Sequence, residues 1–160
     1  MLQVFLRGVF TRRAQNVTYS IASNNDIAPE IAEGVADFAL LGSDKFGELP
    51  LGNGLGFEPI GVLACRFALL APADLKSYGD TEMTVATSYP NALITFLAKT
   101  GVRARCARIM SGKVERAPAS GLTNAAFDIV ETGNSLRANG LQIIQEGQRI
   151  ELGGIWKEQT

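Results

Sequence analysis

At 160 residues the chain has room for one domain or two small lobes, and enough length to bury a real core. Apolar residues make up 46% and charged residues 19%, and a net charge of −1 offers no basic face to a nucleic-acid backbone. There is no histidine, which excludes imidazole acid–base chemistry, Ser-His triads and His-containing metal sites.

The start, "MLQVFLRGVFTRR", is apolar first and basic later, the wrong order for a secretory leader. Residues 17–22, "VTYSIA", read as a strand. "NNDIAPEIAEG" reads as a short helix capped near Asp26, with Pro29 and Glu30 early and Gly34 closing it. "ADFALLG" returns as a buried strand, followed by a polar turn at Ser43, Asp44 and Lys45. "GNGLGF" is a glycine-rich loop that matches neither a Walker nor a Rossmann fingerprint. "EPIGVLA" and "RFALLAPA" then read as paired strands. The apolar run they form is interrupted by Arg66 and is too short to span a bilayer, so no membrane association is expected and the cytoplasm is the expected location. Cys65 and Cys106 are too few for a disulfide scaffold and are expected to be buried, reduced thiols.

The middle is the most regular part. "TEMTVATS" alternates Met83 and Val85 as a strand does. "YPNALITFLAKTG" follows as a helix, with Pro90 near its start, Leu93, Phe96 and Leu97 on one face, and Gly101 ending it. "VRARCARIM" sets Val102, Ala104 and Cys106 against Arg103 and Arg105, a half-buried strand, and the arginines with Arg108 read as its solvated face. Residues 113–120 are helical in character, 122–130 suit a buried strand, and a helix starts near Ser135 and stops at Gly140. The tail "LQIIQEGQRIELGGIW" reads as two strands about a turn at Gly147, with Trp156 as a packing anchor. Strand and helix alternate from residue 81 onward, the pattern of parallel α/β winding, and such sheets bind ligands at the carboxyl ends of their strands.

The junction "FDIVETGNSLRANG" lies at such an end. Thr132 and Ser135 supply hydroxyls, Gly133 lets backbone approach closely, and a helix beginning near Ser135 offers unpaired amides: the parts of a phosphate cradle. Asp128 and Glu131, just upstream, would repel a phosphate unless they faced sugar hydroxyls or a cation. The same residues also suit a plain helix cap with solvated strand-end carboxylates, and both readings stay open on spacing alone.

"GLTNAAFDIVETGNSLRANGL" resembles the hallmark segment of ATP phosphoribosyltransferase, which in that family runs approximately G-L-A-D-A-I-x-D-x-V-x-T-G-x-T-L-x-x-N-G-L. "NNDIAPEIAEGVADFALLGSD", "VATSYPN" and "SGKVERAP" resemble three further segments of the family in the right order. The resemblance implies an α/β fold of two lobes, like the type II periplasmic binding proteins, with parallel-sheet lobes and a reduced first lobe. Residues 1–80 with 141–160 would form the first lobe and 81–140 the second, with hinges near 72–80 and Gly140. It implies a glycosyltransferase of histidine biosynthesis joining ATP and phosphoribosyl pyrophosphate, with Mg2+ and no certain protein metal ligand. Glu131, Thr132, Gly133, Asn134, Ser135 and Leu136 would hold the 5′-phosphate of the ribose donor. Asp128 would face the ribose hydroxyls or the metal–pyrophosphate, Glu115 would lie in the same cleft, and the turn at Ser43, Asp44 and Lys45 would meet the nucleotide from the opposite lobe or simply cap a helix.

This sequence departs from the family pattern in three places. Asn124 stands where the hallmark has its first aspartate, which would weaken a contact to metal or ribose. Ser23 stands where members carry an arginine, which would loosen the hold on phosphate. Members begin with a strand, a P-x-K-G-R-L-like motif and a long helix, whereas here residues 8–16 are too few for a parallel crossover, so a hairpin arm or short helix is expected. Members without a C-terminal regulatory domain work with a separate regulatory subunit, and this chain is expected to be of that kind. A homo-oligomer is expected, burying Leu2, Val4, Phe5, Leu6 and Phe10. The alternative is a non-catalytic homologue that binds phosphoribosyl pyrophosphate or a nucleotide as a regulatory or assembly module.

Overall fold

The computed structural model describes residues 18, 20–52, 54–75 and 82–158. The expectations for the N-terminal hairpin and its five apolar residues lie outside them. Among the described residues six strands form one mixed sheet, with five helices packed around it. In chain order the elements are α1 (Asn24–Ala32), β1 (Ala39–Gly42), α2 (Ser43–Phe46), β2 (Leu55–Pro72), β3 (Met83–Thr87), α3 (Pro90–Thr100), β4 (Ala104–Ile109), α4 (Arg116–Ala119), β5 (Ala125–Val130), α5 (Asn134–Ala138) and β6 (Leu141–Lys157). The strand order is β1-β6-β2-β5-β3-β4.

Parallel winding holds for part of this sheet. β3 runs parallel to both β4 and β5, whereas β2 pairs antiparallel with β5 and with β6, and β6 antiparallel with β1. The local signals of the parallel part are strong. Pro90 opens α3 with φ already set for a helix, and Gly101 ends it at φ 69°, its amide returning to the Leu97 carbonyl at 3.0 Å.

Two expected hairpins are instead single long strands. β2 runs 18 residues and β6 runs 17, paired from Leu55 opposite Lys157 to Pro72 opposite Leu141. The residues that read as turns mark irregularities within a continuous ladder. Ile60 has no counterpart between the Pro59–Gly153 and Gly61–Leu152 pairs, a bulge that accommodates a proline in mid-strand. Gly147 falls where Arg66 faces Arg149 and Ala68 faces Glu146. A Cβ there would lie 3.1 Å from Phe67 Cβ and 3.2 Å from Phe96, so close packing and not a chain reversal calls for glycine.

The strand expected at 17–22 is absent among its described residues, and Ile21 is exposed. β4 is an exposed edge strand, with Arg105 Nε 3.2 Å from Glu82, and not the half-buried strand expected. Cys106 on it is exposed, and Cys65 is only partly covered, its thiol pushed up by burial and then by the negative charges of Asp44 and Glu131. Neither cysteine is the fully buried thiol its sequence context suggests.

Period-two alternation divides the sheet into two faces. Phe67, Leu69, Val85 and Phe127 pack under Leu93 and Phe96 of α3. Ala68, Leu70, Ala86 and Ala126 face the other way, against Val114, Ala117 and Leu136. A third cluster gathers Ile31 of α1 with Leu41, Leu55 and Ile155 at the far ends of the long strands. Trp156 lies flat against Gly56 opposite it in the ladder, where any side chain would collide with the indole. Among the described residues no helix is long and apolar enough to cross a membrane.

Candidate functional site

The carboxyl end of β5 carries Asp128, and the chain then turns through Glu131, Thr132 and Gly133 into α5. Gly133 has φ 71°, a conformation costly to other residues, and its carbonyl accepts the Arg137 amide to start the helix. The first-turn amides, from Asn134 to Leu136, point back toward the loop with no acceptor inside the helix. Leu136 anchors this turn by burying its side chain against Ala126 and Val130. Glu131 and Thr132 are exposed. Arg66, Glu131, Thr132, Gly133, Leu136 and Arg137 line a cavity of about 390 Å3. Arg66 pairs through Nη2 with Glu146, and its Nε is buried without a hydrogen-bond partner among the described residues.

Asp128 is half-buried, and burial pushes its carboxyl above the usual aspartate range. The Ile129 amide, donating to Oδ1 at 2.8 Å, pulls it back, Glu115 pushes it up, and Lys45 pulls it down. The charges of Asp128 and Glu115 thus act on each other. Glu115 immediately precedes α4, whose Ala117 and Pro118 are buried.

α2 is held against β6 and lies beside the start of α3. Ser43 Oγ accepts the Glu151 amide at 3.0 Å, which ties α2 to β6. Just past α2, the Glu48 carboxylate accepts the amides of Asn91 and Ala92 at 3.1 and 2.9 Å, and Asn91 Nδ2 donates to the Gly47 carbonyl at 3.2 Å. Glu48 thus satisfies two open amides of α3 from 43 or more residues away in sequence. Lys45 Nζ sits 4.6 Å from the centre of the Tyr89 ring. Burial raises the Tyr89 phenol well above its ordinary value, and the negative charges of Asp44 and Asp128 and a hydrogen bond to Asp44 raise it further. A second cavity, about 550 Å3, lies along this seam and is lined by Ser43, Asp44, Asn91, Phe96, Lys99 and Arg149, among others.

Sequence reasoning missed Glu48 and Tyr89, and weighed Lys45 only together with Ser43 and Asp44, as a turn that meets the nucleotide or caps a helix. The one available signal was that Tyr89 lies inside "VATSYPN". Asn124 Oδ1 accepts from the Thr84 amide and hydroxyl at 3.0 and 2.9 Å, at the opposite end of β5 from the loop. Ser23 is the exposed N-cap of α1.

The family model HisG, ATP phosphoribosyltransferase, matches residues 23–152. The ATP phosphoribosyltransferase of Parabacteroides distasonis is 37% identical over 126 residues, 76% of this chain and 44% of that protein. That of Aquifex aeolicus is 32% identical over 132 residues, 81% of this chain and 61% of that protein. The chain thus spans about half the length of the curated relatives it matches. The Thermotoga maritima ATP phosphoribosyl transferase (HisG:HisZ) complex contains a chain of similar structure, with TM-score 0.67 and 25% identity, covering 98% of this chain and 80% of that one. The Bordetella pertussis BvgS periplasmic VFT2 domain shares the fold at TM-score 0.57 and 16% identity, covering 86% of this chain and 61% of that one. The fold is of the two-lobed, type II periplasmic-binding-protein kind, built here on a mixed sheet. With its family pattern running through most of the residues, the chain belongs to the ATP phosphoribosyltransferase family.

Proposed function

We propose that this chain transfers phosphoribosyl from phosphoribosyl pyrophosphate to N1 of ATP. The observation that carries the reading is the turn after β5, where a positive-φ glycine and the open first turn of α5 stand beside a half-buried Asp128. The backbone from Glu131 to Leu136 holds the 5′-phosphate, with direct hydrogen bonds supplying most of the affinity. Asp128 faces the ribose hydroxyls, Glu115 stands beside it, and the seam at Ser43 and Asp44 receives the nucleotide. The lobes divide as residues 1–80 with 141–160, and 81–140.

Adenine N1 carries a lone pair and needs no base. The bond from N1 to C1′ of the ribose forms as the bond from C1′ to the pyrophosphate oxygen breaks, and the electron pair leaves with pyrophosphate. The chain's part is to align the two substrates and to stabilise charge on the leaving group. Among the described residues no three acidic or thiol groups converge to cage a metal. That donor set fits a Mg2+ carried mainly by substrate phosphates, with Asp128 and Glu115 as the protein carboxylates beside it. When bound it would neutralise pyrophosphate charge. We place the reaction in the cytoplasm. We also expect a homo-oligomer or a regulatory partner subunit, a reading supported by the exposed Ile60 and Val62 on β2 and by the similarity to a chain of a complex.

The test mixes the chain with ATP, phosphoribosyl pyrophosphate and Mg2+ and follows phosphoribosyl-ATP by its ultraviolet absorbance. Turnover is expected, together with thermal stabilisation by phosphoribosyl pyrophosphate of about 2.7 kcal/mol at a hundredfold excess over Kd. Stabilisation without turnover would select the non-catalytic binding module instead. Gly133→Val should abolish both, because a β-branched residue resists positive φ and blocks close approach, whereas Gly133→Asn, which tolerates that φ, should retain part of the stabilisation. Unchanged binding by the valine variant would remove the loop from the site.

A further inference from the structure

Lys45 is a half-buried cation whose sequence neighbour is Asp44. Three contacts fix its place. Glu48 clasps the first-turn amides of α3, Asn91 returns a bond to Gly47, and the Lys45 ammonium rests over the Tyr89 ring at 4.6 Å. A ring face attracts a cation without neutralising it, and it holds the long stem in one position. Among the described residues no carboxylate forms an ion pair within 4.0 Å of the Lys45 ammonium. Its charge nevertheless acts on Asp128 across the seam. Asp44, Asp128 and Glu115 all bear on this cluster and all carry the sign that would repel an anionic substrate.

We infer that Lys45 contacts the pyrophosphate of the ribose donor, where a positive charge held over Tyr89 offsets the surrounding carboxylates and receives charge as the leaving group departs. This role rests on the phosphoribosyl-transfer reading and adds to it a residue outside the phosphate loop. The ammonium's interaction strengthens as negative charge accumulates on the departing oxygen. The clasp matters because it joins residues 43–48 to 89–92 and so holds the cation at the edge where β5 ends.

The test titrates the full chain with inorganic pyrophosphate and Mg2+ by calorimetry, and separately with phosphoribosyl pyrophosphate. Lys45→Met keeps the stem and removes the charge, so affinity for both ligands should fall tenfold or more, and Lys45→Arg should recover most of it. The melting temperature of each ligand-free variant shows that it is folded. A folded Lys45→Met protein that binds pyrophosphate as the parent does would overturn this role and leave the loop reading standing. A parent that binds neither ligand would overturn the phosphoribosyl-transfer reading and this role with it. Should Lys45→Met misfold, Lys45→Gln carries the same comparison.

Discussion

The two faces of the sheet are built from different material. One is aromatic: Phe67 stacks on Phe127 with centroids 5.1 Å apart, and Phe96 of α3 closes on Phe127 at 5.0 Å. The other is largely alanine, with Ala68, Ala86 and Ala126 beneath Ala117 of α4 and Leu136 of α5. Large rings need a long helix to cover them, and α3 has 11 residues. Small side chains let short elements come close, and α4 and α5, with four and five residues, do so. A short helix ends soon and leaves its polar turns beside the strand ends. On this account the aromatic face holds the fold together, and the alanine face is where we propose that backbone meets the ribose donor.

The largest effect that would test this division comes from Phe127→Ala. Phe127 is fully buried against two other rings, and its removal should cost about 3–5 kcal/mol by denaturant unfolding. Ala126, its neighbour, is equally buried on the opposite face. Ala126→Leu should cost about 1–3 kcal/mol through overpacking and should weaken phosphoribosyl pyrophosphate binding by displacing Leu136 and the loop it anchors. If Phe127→Ala disturbed ligand binding as much as Ala126→Leu did at matched stability, the two faces would not differ as described.

Asp128 sharpens the same comparison, because it continues the row of Ala126 and Val130 on the alanine side. Its folded pKa lies above the ordinary 3.8, so the folded chain holds that proton more tightly than the unfolded chain. The associated stability is fully present below 3.8 and is lost as pH rises through the folded value, so the ionised carboxylate destabilises the fold at neutral pH. Asp128→Asn keeps an oxygen for the Ile129 amide and removes the charge. It should melt above the parent at neutral pH, the difference shrinking as pH falls toward 3.8, while turnover drops by about tenfold or more. Melting curves across that range check the sign. A variant less stable than the parent at neutral pH would mean that the carboxylate is held by partners that outweigh its desolvation.

The sequence announced the stretch from β3 to α5 because its punctuation is local. Pro90 and Gly101 bracket α3, Gly140 ends the turn after α5, and alternation marks β3. The long strands escaped notice because Pro59, Gly61 and Gly147 carry the residue types of turns, while their reasons lie in a bulge and in rings on other elements. The loop from Glu131 to Leu136 was visible as a motif, being contiguous. The Glu48–Asn91 clasp and the Lys45–Tyr89 contact were not, since each joins residues some 44 positions apart that show no pattern until the chain folds.

Asn124 gives the smallest expected effect. It lies just before the strand that carries Asp128, four positions earlier and roughly 13 Å away along the chain. Thr84 uses its oxygen twice, through the amide and the hydroxyl, and the Asn124 amide returns a bond to the Thr84 carbonyl at 3.0 Å. An aspartate would offer the same two lone pairs to the same two donors. Asn124→Asp should therefore bind phosphoribosyl pyrophosphate and turn over as the parent does, with stability changed by no more than about 0.5 kcal/mol. Asn124→Leu, by contrast, strands both Thr84 donors and should cost about 1–3 kcal/mol with the affinity of the folded fraction unchanged. A large gain in turnover for Asn124→Asp would place this end of β5 within the site after all, and the separation between a structural strand start and a functional strand end would fail.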